Sequence, residues 1–139
     1  MGTGLRLAPL HELQPSQLYV SSAKLGAVLA GWPDRDPEAL TPVPVKRHGD
    51  RLVATDGHTR ALAAHRAGLV AIPVVPDEDD LDDEAYEICV GWCVEAGIRS
   101  VADLDERVVE PEAYESLWLD RCRAMHRDLA ARRKAADGR

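Results

Sequence analysis

The sequence predicts an α/β (α+β) domain that is followed by a helical extension. Strand-like and helix-like segments alternate over residues 1–78, and two long amphipathic helix patterns follow over residues 79–139. A chain of 139 residues can bury one core of ordinary size. We therefore expect a small mixed sheet with helices in the first range. The second range should pack on that domain or on a partner subunit.

The first predicted strand covers residues 5–10, and Pro9 favours an edge position because proline cannot donate to a ladder. Ser21 or Ser22 can cap the helix that follows, and Pro33 ends it. Residues spaced three and four apart form the apolar face of that helix: Leu25, Val28, Leu29 and Trp32.

Three further strands and one helix complete the predicted domain. Residues 43–46 and 51–54 are separated by a short glycine-containing turn, a spacing that suggests a hairpin. A second glycine turn leads into a helix over residues 59–67, and the last strand covers residues 71–75. Strands and helices in this order predict a small mixed sheet.

The helical extension contains two apolar stripes at helical spacing. Gly97 ends the first helix, and Pro111 suits the first turn of the second. The stripes consist of Ala85, Ile88, Cys89, Trp92, Cys93 and Ala96, and of Tyr114, Leu117, Trp118, Cys122, Met125 and Leu129. Such faces must be covered, and a homodimer formed through the extension is one way to cover them.

Composition argues against several classes of protein. The net charge is -7, and the basic cluster at residues 132–134 is small, which argues against binding to duplex DNA. The sequence contains no run of about 18 apolar residues, so we expect no membrane-spanning helix. The absence of a signal-peptide pattern and the odd number of cysteines, three, predict a cytoplasmic protein.

The turn at residues 55–60 (TDGHTR) concentrates the polar side chains that could carry chemistry. A helix N-terminus offers unpaired N–H groups and a partial positive charge. Together with His58 and Arg60, it suits an anion, and a phosphate fits best. A carboxylate beside a phosphate, here Asp56, commonly holds a metal or takes a proton.

Each of these side chains also has a purely structural interpretation. Asp56 could cap the turn, and Arg60 could pair with Asp56 inside the fold. His58 could be solvated where the helix begins, and Thr59 could simply cap the helix. Lys24 could meet a phosphate or lie on the surface.

Three features of the first 76 residues carry a resemblance to a known superfamily. They are the turn at residues 13–17 (LQPSQ), the hairpin at residues 42–55, and residues 56–61 (DGHTRA) opening a helix that ends at Gly68 before residues 72–74. In this order they resemble the N-terminal domain of ParB and its relatives, the ParB/sulfiredoxin superfamily. The resemblance implies nucleotide binding, with the DGHTRA turn around the phosphates.

Two branches of the superfamily match this chain less well. Partition ParB proteins bind CTP and clamp DNA, with a Gly-Glu-Arg-Arg type motif at residues 57–60 and a helix-turn-helix domain after it. Here acidic residues follow instead. Sulfiredoxins need a cysteine at the position of His58, so that reaction is excluded.

The free serine kinases of the superfamily have the most similar motif, Asp-Gly-His-His-Arg. Asp56, Gly57, His58 and Arg60 match it, and Thr59 replaces the second histidine. These kinases phosphorylate free L-serine with ADP or ATP and Mg²⁺. The resemblance thus implies Asp56 and His58 as catalytic residues and Asp56 as the magnesium ligand.

The remaining site residues also follow from the resemblance. Gly57, His58, Thr59 and Arg60 would hold the phosphates, helped by the start of the first helix at Ser22 and Lys24. The kinases use a glutamate as general base at a position that aligns with Gln17, and glutamine cannot take a proton. Glu12 lies nearby in sequence and is the alternative base.

Two functions therefore compete. The first is a kinase that transfers phosphate from ATP or ADP to a small hydroxylated acceptor such as free serine. The second is a non-catalytic module that binds a nucleotide or another anion and acts through dimerisation or a protein partner.

Overall fold

The computed structural model describes residues 6–138 and contains seven strands and five helices within that range. The strands are β1 (Arg6–Pro9), β2 (Leu13–Gln14), β3 (Val20–Ser21), β4 (Val43–His48), β5 (Arg51–Ala54), β6 (Ala71–Pro76) and β7 (Val108–Val109). The helices are α1 (Ser22–Ala30), α2 (His58–Arg66), α3 (Asp83–Glu95), α4 (Pro111–Tyr114) and α5 (Asp120–Asp137). Three 3₁₀ turns, Leu10–Glu12, Pro37–Ala39 and Val101–Glu106, and a π-helical segment, Glu115–Leu119, link them.

Five strands form a mixed sheet in the order β1-β6-β4-β5-β2. The pairs β1–β6 and β4–β5 are antiparallel, whereas β4–β6 and β2–β5 are parallel. The predicted mixed α/β fold is confirmed. β1 lies at an edge of the sheet, as Pro9 predicts, although the predicted start of this strand at Leu5 lies outside the described residues.

The hairpin and the helices next to the DGHTRA turn form as predicted. β4 and β5 are a hairpin whose turn contains Gly49 in the left-handed region, at φ +59°. α2 begins one residue earlier than predicted, and Gly68 follows it at φ +88°. Ser21 caps α1 by accepting a hydrogen bond from the Lys24 N–H at 3.4 Å.

The C-terminal helix departs from the predicted apolar stripe. α4, the π-helical segment and α5 run on without a break, because the residues at both junctions have right-handed helical backbone angles. The prediction of Leu117 as part of the stripe is wrong, since its side chain is 44% exposed. The wider π turn shifts the phase of the helix, so Tyr114 and Trp118 stay buried while Leu117 faces solvent.

The extension and the first half of the chain share one apolar core. Ile98, Leu104 and Leu129 are almost fully buried in the same cluster as the sheet residues and α2. β7 pairs in parallel with β3, the short strand that directly precedes α1. The described part of the extension thus packs on the domain of its own chain.

Polar contacts reinforce this packing. The Gln14 side-chain amide donates to the Ile98 carbonyl at 2.9 Å, and the guanidinium of Arg66 lies 2.7 Å from Asp105. Val20 N–H also donates to the Arg107 carbonyl at 3.0 Å. The buried amide contact matters most, because an unpaired buried amide is costly.

The acidic run at residues 77–84 (DEDDLDDE) is partly neutralised by cations from distant elements. Arg133 of α5 binds both carboxylate oxygens of Asp82 at 2.9 Å and also contacts Glu84, while Lys46 of β4 lies 2.9 Å from Asp83. The hydrogen bond from Arg133 lowers the pKa of Asp82 to about 2, and capping of Ala85 contributes. The run is therefore a solvated connector that leads into the cap of α3.

None of the helices in the described residues combines the length and the apolar character needed to cross a bilayer.

Truncating Leu129 tests whether α5 belongs to the core. Leu129→Ala leaves a cavity in the shared cluster and should lower the free energy of unfolding by about 2–5 kcal/mol. Leu117→Ala, in the same helix but exposed, should change it by less than about 0.5 kcal/mol. Urea unfolding measures both. Equal effects of the two substitutions would contradict the packing of α5.

Candidate functional site

The predicted turn lies beside a cleft of about 320 Å³. β5 ends at Ala54, the turn follows, and α2 begins at His58, so the first turn of α2 faces the cleft. The other walls come from α1 and from the end of α4. The lining residues are Gln17, Lys24, Ala27, Val28, Asp56, Gly57, His58, Thr59, Arg60 and Tyr114.

Gly57 is required by the shape of the turn. Its backbone is left-handed at φ +74°, which strains other residues. A Cβ at this position would lie 2.8 Å from Nη2 of Arg60 and 3.2 Å from Cγ2 of Val43. The Gly57 N–H donates to Oδ1 of Asp56 at 2.8 Å. The amide that the resemblance assigns to phosphate is thus satisfied by the neighbouring carboxylate in this structure.

Arg60 fixes the segment that leads into β4, the first strand of the hairpin. Its Nε donates to the Thr41 carbonyl at 3.2 Å, and Nη2 donates to the Pro42 carbonyl at 3.2 Å. Among the described residues it forms no ion pair with Asp56, so the predicted internal pairing is not what holds it. A guanidinium has five N–H donors, so Arg60 can hold this backbone and still donate into the cleft.

His58 is buried, at 4% exposure, and holds the first turn of the chain. Its Nε2 accepts a hydrogen bond from the Ser16 N–H at 3.0 Å, while the Ser16 hydroxyl donates to the Ala54 carbonyl at 2.7 Å. Burial lowers the pKa of His58 to about 4, although the charge of Asp56 opposes this. His58 is therefore a neutral imidazole at pH 7, with its proton assigned to Nδ1 because Nε2 accepts.

Asp56 is an exposed carboxylate at the mouth of the cleft. Its Oδ1 accepts from Gly57, and Oδ2 has no hydrogen-bond donor among the described residues. No group of three or more His, Cys, Asp or Glu side chains within residues 6–138 is arranged to hold a metal ion. Magnesium is commonly bound by one or two carboxylates together with phosphate oxygens. Asp56 fits that arrangement, but by itself it does not form a preformed metal site.

Lys24 joins the site from α1, whereas Ser22 does not. The Lys24 ammonium lies 5.1 Å from the centroid of the Tyr114 ring, a cation–π contact that keeps it at the cleft. Ser22 is the first residue of α1 and is absent from the cleft wall. The neighbouring Ser21 is the residue that caps the helix.

The two candidates for the substrate side lie in different places. The Gln17 side-chain amide donates to the Tyr19 carbonyl at 2.7 Å and to the Tyr114 hydroxyl at 3.1 Å, on the cleft wall. Glu12 lines another cavity, of about 210 Å³, beside Arg47 and Asp50. The structure therefore brings Gln17, but not Glu12, to the turn.

A second cavity, of about 270 Å³, adjoins the cleft and shares Gln17 and His58 with it. Its other walls come from Ser16 and Thr55, from α3 with its cap, from the π-helical segment and from α5. The residues of these helical walls are Asp82, Ala85, Tyr86, Cys89, Trp118, Cys122, Met125 and His126. The Tyr86 hydroxyl donates to the Thr55 carbonyl at 3.1 Å, which ties α3 to the turn.

Sequence reasoning missed two parts of this site. The sequence pattern places Tyr114 on an apolar stripe of the extension and does not connect it with the DGHTRA turn, yet it forms the cleft wall between Gln17 and Lys24. The second cavity arises only when α3 and α5 fold back over the turn. Neither feature has a local sequence signal, since both depend on contacts between distant segments.

Comparison with known proteins supports the fold. The protein Atu1540 from Agrobacterium tumefaciens aligns with a TM-score of 0.51 and 19% identity, covering 72% of this chain and 60% of that one. At this identity the similarity shows a shared fold alone. No family model and no curated protein matches the chain.

Two matching structures are of C-terminally truncated ParB, a chromosome-partitioning protein of Caulobacter crescentus, and both have a TM-score of 0.44. The complex with the centromeric parS site is 29% identical and covers 60% of this chain and 44% of that chain. The complex with CTP-γ-S is 28% identical and covers 66% and 53%. ParB, the relative named from the sequence, thus recurs among the solved structures. This chain spans about half the length of these ParB chains, and overlaps of this quality carry no argument about activity.

The buried His58 predicts a pH dependence of stability. Because its pKa is about 4 when folded and 6.5 otherwise, the unfolded chain binds the proton first as pH falls. The stabilisation is complete above pH 6.5 and is lost as pH falls towards 4. Between pH 7 and pH 5 the contribution of His58 to the free energy of unfolding should fall by about 2 kcal/mol.

His58→Gln isolates this effect, because glutamine keeps an acceptor for the Ser16 N–H but does not titrate. Urea unfolding at both pH values should show the wild type losing about 2 kcal/mol more than the variant. Equal losses would mean that His58 is not buried as a neutral base.

Proposed function

We propose that the chain binds a nucleoside di- or triphosphate in the cleft at the DGHTRA turn. The observation that carries the proposal is the convergence of Lys24, Arg60 and the N-terminus of α2 on one cleft. Two cations and the unpaired N–H groups of a nine-residue helix suit a polyphosphate. The positive side chains of this site contrast with the chain as a whole, whose net charge is -7.

The backbone of α2 supplies the donors of this site. The N–H groups in the first turn of a helix have no acceptor inside the helix, and Thr59 and Arg60 in the first turn of α2 line the cleft. The Arg60 side chain starts from the same turn, and Lys24 approaches from α1. Phosphate oxygens between them would meet charge from two sides and backbone donors from a third.

Asp56 and the apolar wall account for the rest of the ligand. Magnesium entering with the nucleotide would take Asp56 as its protein ligand and phosphate oxygens as the others. Ala27, Val28 and the ring of Tyr114 offer a surface for the nucleoside. The resemblance to the ParB/sulfiredoxin superfamily supports the proposal, because it places phosphates at this turn.

A second candidate is phosphate transfer from ATP or ADP to a small hydroxylated acceptor, the serine kinase-like reaction. The adjoining cavity favours it, since an acceptor there would lie beside Gln17 and His58 and next to the phosphate cleft. Neutral His58 cannot supply positive charge, and Gln17 can orient a hydroxyl without taking its proton. Asp56 would then hold the metal or accept the proton, so catalysis would consist mainly of positioning and charge neutralisation.

Calorimetry with ATP, ADP, CTP and GTP, each with and without magnesium, tests the binding site. We expect magnesium-dependent binding of at least one nucleotide. Arg60→Ala should weaken it by about 10- to 100-fold, because charge-assisted hydrogen bonds are lost. Arg66→Ala removes the same charge from the other end of α2 and should change the affinity less than about twofold. Absence of binding, or equal effects of the two variants, would overturn the proposal.

Turnover distinguishes the kinase from the non-catalytic module. A kinase should consume ATP or ADP only when an acceptor such as free L-serine is present, and Asp56→Asn should reduce that rate to background. Asp50→Asn is the matched control, because Asp50 lies at the separate cavity beside β1. Phosphoserine is measured by mass spectrometry. Binding of nucleotide without product for any acceptor would favour the module.

A further inference from the structure

Two of the three cysteines meet between α3 and α5. Cys89 on α3 and Cys122 on α5 both line the second cavity, where each thiol is near enough to change the pKa of the other. They are 33 residues apart in the chain, so only the folding of α5 against α3 brings them together. All three cysteines are reduced in this structure.

The two thiols differ in environment. Cys122 is half-buried, and the neighbouring Cys89 thiol lowers its pKa, helped by the charges of Arg121 and Arg123. Cys89 is buried at 8% exposure, and the neighbouring Cys122 thiol together with burial raises its pKa. An accessible thiol that favours the thiolate, next to a second thiol, is the arrangement found in redox-active pairs.

Core packing alone does not account for this arrangement. A cysteine packed as a small apolar residue needs neither a thiol partner nor an opening towards solvent. Cys93 shows the contrast within the same helix. It is fully buried, does not line the cavity, and burial raises its pKa to about 12.

We propose that Cys89 and Cys122 form a reversible disulfide and that their oxidant is a small hydroperoxide. The Cys122 thiolate attacks the peroxide, breaks its O–O bond and becomes a sulfenic acid, while water (or the alcohol of an organic peroxide) leaves. The Cys89 thiol then attacks the sulfenic sulfur, an S–S bond forms, and a second water leaves. Two thiols are oxidised and one peroxide is reduced, so electrons and protons balance. A dithiol reductant reverses the bond.

The cysteine pair lies at the second cavity, so its oxidation would change the walls of that cavity. Cys89 and Cys122 face the cavity whose other wall contains Gln17 and His58. The disulfide would bond α3 covalently to α5 across that cavity. The proposal is independent of nucleotide binding and is tested without nucleotide.

The experiment uses the reduced full chain treated with about one equivalent of hydrogen peroxide. Free thiols are counted after denaturation, and the intact mass is measured. We expect two of the three thiols to disappear, the mass to fall by about 2 Da, and dithiothreitol to reverse both changes. Peptide mapping should find the Cys89–Cys122 linked peptide in the monomer.

Three serine variants assign the roles. Cys93→Ser should behave as the wild type. Cys89→Ser should stop at a Cys122 sulfenic acid that dimedone traps, and Cys122→Ser should lose the fast reaction. A disulfide that includes Cys93, a disulfide between chains, or equal reactivity of all three cysteines would overturn the proposal. Circular dichroism confirms that each variant is folded before it is compared.

Discussion

The hydrogen bond from the Ser16 N–H to Nε2 of His58 is the contact on which the candidate site depends. It joins the LQPSQ turn to the first residue of α2, 42 positions later in the chain. Since the contact is buried, its loss would leave a backbone donor unsatisfied in an apolar setting, which is costly. It also sets the chemistry of the imidazole. Nε2 is occupied, and burial keeps the ring neutral. Gln17, the residue after Ser16, lines both cavities.

The parts of the site that come from short segments could be predicted from the sequence, and the parts that come from long-range packing could not. The hairpin, the Gly57 turn and the start of α2 depend on glycine conformation and local spacing, so the sequence predicts their positions to within two residues. The position of Tyr114 on the cleft wall and the exposure of Leu117 depend on the π-helical segment, which no local sequence pattern predicts. The resemblance aligns Gln17 with the general-base position and leaves Glu12 as the alternative, and the structure places the two residues in different cavities.

The extension completes the site rather than merely covering the domain. Tyr114 supplies one wall of the cleft and positions both Gln17 and Lys24. α3 and α5 enclose the second cavity, and Tyr86 ties α3 to the turn. The same contacts bury the extension's apolar stripes within one core with the sheet. A domain reduced to the first 78 residues would therefore lose walls from both cavities as well as part of its core.

Neutral His58 determines how charge can be balanced in the cleft. If the imidazole were charged, Lys24, His58 and Arg60 would give the cleft three cations, and it could bind a phosphate without a metal. Because burial keeps it neutral, the side-chain charge at the turn comes from Lys24 and Arg60, and Asp56 offsets part of it. A di- or triphosphate carries more negative charge than this set can neutralise. A divalent cation bridging Asp56 and the phosphate oxygens would turn that unfavourable carboxylate into a ligand. In the proposed site, neutral His58 and exposed Asp56 would therefore make the binding of a polyphosphate depend on the metal ion.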